Sequence, residues 1–182
     1  MNDKLKNETN SQVFQWDLRA LRLPRLVEAD PRGRELLNSL AENARPLWSG
    51  GKIMAPTIAF KPALAEVLRI ADNAGQLVRS LEEAESKLAT EGRGLGLADQ
   101  KSSASRGGRI SRLLVLADDG AERFYRQVEK LLRQNGPRVL ALRLDVKAEI
   151  LGQSLFEPGH RVLLLLLNHK EAVSAMLLAL AE

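Results

Sequence analysis

Short apolar runs alternate with amphipathic stretches through the second half of the chain. The runs centre on 112–117, 138–144 and 162–167, and such uninterrupted apolar segments are typical of strands buried on both faces of a sheet. Apolar residues recur at three- and four-residue steps in the segments between and after them, which predicts helices at 121–134, 147–156 and 170–181. This half of the chain therefore predicts alternating strands and helices.

The segment 63–88 also has helical periodicity, and we predict two helices joined near residues 75–80. Gly75 weakens the middle of the segment. Ser80-Leu81-Glu82-Glu83 has the form of a capping box, in which the Ser80 hydroxyl accepts from the backbone N–H of Glu83. One unbroken helix in a coiled-coil hairpin is the alternative. The full order predicts a three-layer α/β/α sandwich with a small mixed sheet over residues 61–182.

Residues 1–60 are interpreted as a partly helical N-terminal extension. Asp30-Pro31 suits the beginning of a helix over about 31–44. Prolines and glycines then interrupt the chain at Pro46, at 49–51 and at Pro56.

The aromatic residues of this extension have two interpretations. Phe14, Trp16 and Leu18 alternate with polar neighbours, as in a short strand or a docked peptide. Trp16 and Trp48 are both expected either to pack onto the main domain or to anchor a protein partner.

Composition narrows the class of protein. Hydrophobic residues make up 45% and charged residues 27% of the 182 residues, as in globular proteins. Cysteine is absent, which excludes disulfides, thiolate metal ligands and cysteine nucleophiles. No apolar run is long enough to span a bilayer and no signal peptide is visible, so we expect a cytoplasmic protein without a membrane partner.

Positive charge is concentrated in the segment 92–111. This segment is rich in glycine and serine, which predicts a flexible loop. Over residues 92–112 the basic residues outnumber the acidic ones, and the net charge of the whole chain is +4. A mobile basic segment attracts polyanions, although a solvated loop explains the same composition.

The paired acids Asp118 and Asp119 after the first apolar run are the clearest candidate chemistry. A phosphoacceptor receiver domain has acids there, but only 62 residues follow Gly120, too few for its remaining units. Either aspartate is a suitable cap for the helix over 121–134. His160 and His169 flank the last strand, and no serine lies in a nucleophile elbow. We therefore expect no catalytic residue, no cofactor and no metal site.

Several local sequence strings resemble those of the ribosomal protein L7Ae family and occur in the same order. "LRIADNAGQLVRSLEEAESKL" is similar to that family's first two helices, and "RLLVLADDGAERFYRQVEKLLRQNGPRVLAL" to its strand, acidic turn, helix and strand. "AEILGQSL" and "HRVLLLLLNHKEAVSAMLLAL" are similar to its later helix and its final strand and helix. The resemblance covers about residues 64–182 and implies an α/β/α fold that binds kink-turn RNA.

The resemblance also implies where RNA would bind. The family contacts RNA at the start of its second helix with Gly-x-Asn-Glu, which here reads Ser80, Leu81, Glu82 and Glu83, preceded by Arg79. Only Glu83 matches that signature. With the basic segment, the expected RNA-binding residues are Arg79, Ser80, Glu82, Glu83, Arg93, Lys101, Arg106 and Arg109.

Two hypotheses follow. The first is a non-catalytic RNA-binding protein of a ribonucleoprotein or ribosome-associated assembly that binds structured, kink-turn-like RNA. The second is a protein-interaction module on the same fold that has lost RNA binding and docks a partner through the region of Trp16 and Trp48.

Overall fold

A computed structural model describes residues 17–101 and 108–182, and within these it contains seven α-helices and six strands. The helices are α1 (Arg25–Ala29), α2 (Gly33–Glu42), α3 (Pro62–Asn73), α4 (Leu81–Lys101), α5 (Glu122–Asn135), α6 (Ala148–Leu155) and α7 (Lys170–Leu180). The strands are β1 (Ala44–Pro46), β2 (Met54–Ala59), β3 (Leu77–Val78), β4 (Arg112–Leu116), β5 (Val139–Asp145) and β6 (Leu164–Leu167).

The six strands form one mixed sheet in the order β1-β2-β5-β4-β6-β3. Strands β2, β5 and β4 are parallel neighbours, whereas β1 and β6 run antiparallel to the strands beside them. Strand β3 pairs antiparallel with β6, so it has the same direction as β4. The predicted α/β class with a mixed sheet is confirmed.

Helices cover both faces of the sheet. Leu113 and Val115 of β4 enter the core formed with α1, α2, α3, α6 and α7. Leu114 and Leu116 enter the other core, which α4 and α5 cover. Because successive side chains of a strand point to opposite faces, the uninterrupted apolar runs supply both cores at once.

Apart from the end of α4, the helices and strands predicted from residue 61 onward are confirmed within a few residues. The division of 63–88 into two helices is also confirmed, with the short strand β3 between them. Gly75 has φ of +70° just after α3, where a left-handed residue ends the helix. The Ser80 hydroxyl accepts from the Glu83 N–H at 3.2 Å, as the capping box predicts.

The predicted flexible loop from residue 92 is wrong over residues 92–101, which continue α4. The first part of α4 is anchored by the buried residues Ala84 and Leu88. Glu91 then binds Arg112 and Arg138, so α4 is held against the sheet up to the residue before the glycines, and extending a formed helix through them requires no new nucleus. Residues 102–107 lie outside the described residues.

The predicted boundary at residue 60 is misplaced, because β1 and β2 belong to the sheet. Pro56 does not prevent this, since Met54–Pro56 pairs with the edge strand β1 whereas the pairs with β5 are at 57–59. Residues 17–43 are partly helical, as predicted, and Leu18, Leu36 and Leu40 join the main core.

Trp48 packs onto the domain. Its indole Nε1 donates to Glu129 of α5 at 2.5 Å, and the Lys52 N–H donates to the same carboxylate at 3.1 Å. Glu129 is only 5% exposed, and Arg133 donates to its carboxylate at 2.9 Å, so this buried charge has a charged partner. This network fixes the β1–β2 connection to α5 and supports the packing interpretation of Trp48. Phe14 and Trp16 lie outside the described residues.

None of the helices within residues 17–101 and 108–182 has the length and apolar character needed to cross a membrane.

Replacing Glu129 with Gln is expected to lower the free energy of unfolding at pH 7 by about 1.5–3 kcal/mol, since the charged acceptor of three donors is lost. Burial raises the pKa of Glu129, but bonds from Arg133, Lys52 and Trp48 outweigh it and lower the pKa below its ordinary value of 4.5. The Glu129 carboxylate therefore stabilises the fold above pH 4.5, and this contribution is lost as the pH falls through the lowered value.

Urea denaturation of the wild type and of Glu129→Gln at several pH values would measure this. Glu122→Gln is the control, since it removes an exposed pair with Arg126 on the same helix. A difference between wild type and Glu129→Gln that stays constant down to acid pH would contradict the assignment.

Candidate nucleic-acid interface

Strands β2, β5 and β4 are parallel, so their carboxyl ends lie at one side of the sheet and their amino ends at the other. We call these two sides the carboxyl edge and the amino edge, and their chemistry differs. Chain segments leave β4, β5 and β2 at the carboxyl edge, where β3 also leads into the start of α4. Helix α4 then returns across the sheet, and Glu91 contacts Arg112 at the start of β4. The start and the middle of α4 therefore lie at opposite edges.

The predicted RNA-binding residues are divided between these edges. Arg79, Ser80, Glu82 and Glu83 lie at the carboxyl edge, at the start of α4. Arg93 and Arg109 lie at the amino edge, near Glu91 and before β4. Lys101 is the last helical position of α4, and Arg106 lies outside the described residues. The structure does not bring the described members of this set together.

At the carboxyl edge, Arg79 already has partners. Its guanidinium binds Asp72 at 2.9 Å and lies 3.6 Å from the ring centroid of Phe156. Glu82 and Glu83 occupy the first turn of α4. An anion at the start of α4 would therefore meet a neutralised arginine and two carboxylates.

Asp118 and Asp119 also lie at the carboxyl edge, and neither caps the helix that follows them. The backbone at the start of α5 receives no side-chain cap, whereas Asp119 Oδ1 accepts from the Ala148 N–H at 2.8 Å. The predicted capping of 121–134 is therefore wrong, because Asp119 instead caps α6 across the sheet edge. Partial desolvation, and then a hydrogen bond with Asp145, raise the pKa of Asp118.

The turn after β4 is held by a buried tyrosine. The Tyr125 hydroxyl donates to the Ala117 carbonyl at 2.6 Å and accepts from the Gly120 N–H at 3.1 Å. His169 accepts from the Glu171 N–H at the start of α7. Among the described residues, no group of three or more His, Asp or Glu side chains is placed to hold a metal ion.

A groove of about 440 Å³ opens at the amino edge between α4 and the start of α7. Three cationic side chains and one carboxylate line it, namely Arg112, Arg138, Lys170 and Glu91, together with Gly94, Leu95, Ser111 and His169. The groove is therefore cationic in balance.

The two arginines of this groove are held in place by shared bonds. Both bind the same Glu91 oxygen at 3.0 Å, and the Arg138 guanidinium also donates to the Leu88 carbonyl at 3.2 Å. Their side chains are only 21% and 15% exposed. One carboxylate cannot neutralise two guanidinium groups, so the groove has fixed donors and an excess of positive charge.

Sequence reasoning missed Arg112, Arg138 and Lys170 as members of one site. Arg138 and Lys170 lie 32 positions apart, and each of the three adjoins a different element, so no local motif joins them. One signal was available. Arg112 and Lys170 each begin an element, Arg138 directly precedes one, and all three elements run away from the amino edge.

No protein-family model matches this chain, and no curated protein is similar to it in sequence.

Asp119→Ala is expected to lower the free energy of unfolding by about 0.5–2 kcal/mol, the usual effect of losing a helix cap. Asp118→Asn is the matched control and is not expected to lower it at pH 7. The raised pKa of Asp118 means that its negative charge disfavours folding. Protonation of Asp118 therefore stabilises the fold below its ordinary pKa of 3.8, and this contribution is lost as the pH rises through the pKa of Asp118 in the folded state.

Urea denaturation at pH 7 and at acid pH would test both variants. The difference between Asp118→Asn and the wild type should shrink as the pH falls. A loss of stability in Asp118→Asn as large as that in Asp119→Ala would overturn the assignment of the cap.

Proposed function

We propose that this chain is a non-catalytic RNA-binding protein of a ribonucleoprotein or ribosome-associated assembly, and a divergent relative of the L7Ae family. The observation that carries the proposal is the groove at the amino edge, where three cations surround one carboxylate. The RNA is proposed to be structured, with kink-turn-like elements as the first candidates.

The groove has the chemistry that a phosphate backbone requires. Guanidinium groups present planar forks of donors that match phosphate oxygens, and here Glu91 already orients two of them. Lys170 adds an exposed ammonium group on the opposite wall. Phosphate binding at such a site releases counterions, so affinity should fall steeply with salt.

Positive charge continues beyond the groove, which favours a polyanion over a single small anion. Arg93 is exposed on α4, where its described hydrogen bond is to the neutral Thr90 hydroxyl at 3.3 Å. Arg25 is exposed on α1, on the far side of Lys170. Several successive phosphates would therefore find partners along this edge.

This proposal locates the interface away from Arg79. The start of α4 is crowded by acids, and Arg79 is bound to Asp72. The amino edge retains Arg93 and Arg109 from the sequence-based expectation and adds Arg112, Arg138 and Lys170.

Lys170→Ala is expected to weaken RNA binding for all sequences and to reduce the slope of log affinity against log salt by about one unit, because one phosphate contact is lost. Lys130→Ala, an exposed lysine of α5, is the control for total charge. Fluorescence anisotropy with a labelled kink-turn RNA at a series of salt concentrations would measure this.

Arg79→Ala separates the two locations. It should leave affinity unchanged if RNA binds at the amino edge. If it weakens binding while Lys170→Ala does not, the interface lies at the start of α4 instead. Absence of RNA binding at low salt would favour the protein-interaction module.

Gly94→Leu is expected to weaken RNA binding by filling the groove. A side chain at Gly94 meets no atom within 4 Å and projects from a residue that lines the groove. Gly92→Leu is the matched control, because Gly92 has equal free space but does not line it. Both changes favour the helix by up to about 1 kcal/mol, so unfolding cannot explain a loss.

The same anisotropy assay, with circular dichroism to compare helix content, would measure the two glycine variants. Equal affinities for Gly94→Leu and Gly92→Leu would show that the groove is not occupied by RNA.

A further inference from the structure

A second cavity adjoins the cationic groove, on the other side of Lys170. It has a volume of about 450 Å³ and lies between α1, α7 and the segment before β4. Ser111 and Lys170 line both cavities, so a ligand in one can continue into the other. We refer to the second cavity as the side pocket.

The walls of the side pocket combine apolar surface with a fixed guanidinium. Pro24, Leu26 and Ile110 provide the apolar surface. Leu26 is 65% exposed, although the next residue of the same short helix, Val27, is fully buried. Leu26 therefore adds exposed apolar surface to the lining of the side pocket.

Arg109 forms a rigid part of the wall. Its Nη1 donates to the Leu23 carbonyl at 2.6 Å and to Glu28 at 2.6 Å, and the side chain is 24% exposed. Glu28 also lies 3.6 Å from Arg22, and the bond to Arg109 is the main cause that lowers the pKa of Glu28. A planar guanidinium held in this way offers a face on which a ring can stack.

We infer that the side pocket accepts one unpaired base of the RNA whose phosphates lie in the cationic groove. This inference rests on the proposed RNA-binding function. Apolar side chains and an arginine plane are the surfaces on which unstacked RNA bases pack. Ser174, which is 5% exposed, and Glu171 provide polar atoms for the edge of the base.

The geometry selects for unpaired nucleotides. A base within a duplex is stacked and paired, so it cannot leave the phosphate line to enter a lateral pocket. The volume of the side pocket lies within the range of about 300–1,000 Å³ typical of small-ligand sites. The protein should therefore prefer single-stranded RNA, or loops and bulges of structured RNA, over duplex RNA of equal charge.

The test compares oligouridine with an abasic oligonucleotide of the same length and phosphate number, by anisotropy with the full chain. Oligouridine is expected to bind about tenfold more tightly, the size of one stacked base. Leu26→Ala should abolish most of this difference and leave the salt slope unchanged. Ile70→Ala is the matched control, since Ile70 is 60% exposed on α3 and lies outside the side pocket.

The outcomes separate this inference from the proposed function. If oligouridine and the abasic oligonucleotide bind equally, or Leu26→Ala and Ile70→Ala behave alike, the side pocket does not hold a base and RNA binding itself stands. If neither oligonucleotide binds at low salt but the labelled kink-turn RNA does, this inference fails and the proposed function stands; if the kink-turn RNA does not bind either, both fail. We expect Leu26→Ala to fold, because the Leu26 side chain is exposed, and circular dichroism would check this.

Discussion

The burial of β4 on both faces is the constraint on which the rest of this structure depends. The side chains of Leu113, Leu114, Val115 and Leu116 are fully buried. Because they alternate between the two faces, one strand can be stable in water only if helices cover the sheet on both sides. That requirement explains the three layers and the helical connection α5, which returns the chain from β4 to its parallel neighbour β5.

Those helical connections also separate charge along the sheet. They carry Asp118, Asp119 and Asp145 to the carboxyl edge and Arg112 and Arg138 to the amino edge. In many α/β proteins ligands bind at the carboxyl ends of the strands. Here that edge carries these acids, of which Asp119 caps α6, whereas the opposite edge has oriented cations and two adjoining cavities. Electrostatics therefore favours the amino edge for a polyanion.

Glu91 links the fold to the proposed function. It fixes α4 against the sheet edge by binding Arg112 and Arg138, which prevents those arginines from folding away from the groove. A single acid shared between two bases costs less desolvation than two separate buried pairs and leaves a positive charge for a ligand. The site is therefore organised before any ligand arrives.

The sequence by itself determined most elements from residue 61 onward, since hydrophobic period distinguishes a buried strand from an amphipathic helix and Ser80 and Gly75 divide α3 from α4. It did not determine that β2 joins the sheet through Pro56, that α4 continues through Gly92 and Gly94, or that Asp119 caps α6. Each of these depends on a partner distant in the chain. The cationic groove is the same case, because Glu91, Arg112, Arg138 and Lys170 come together only when the strand order places their elements at one edge.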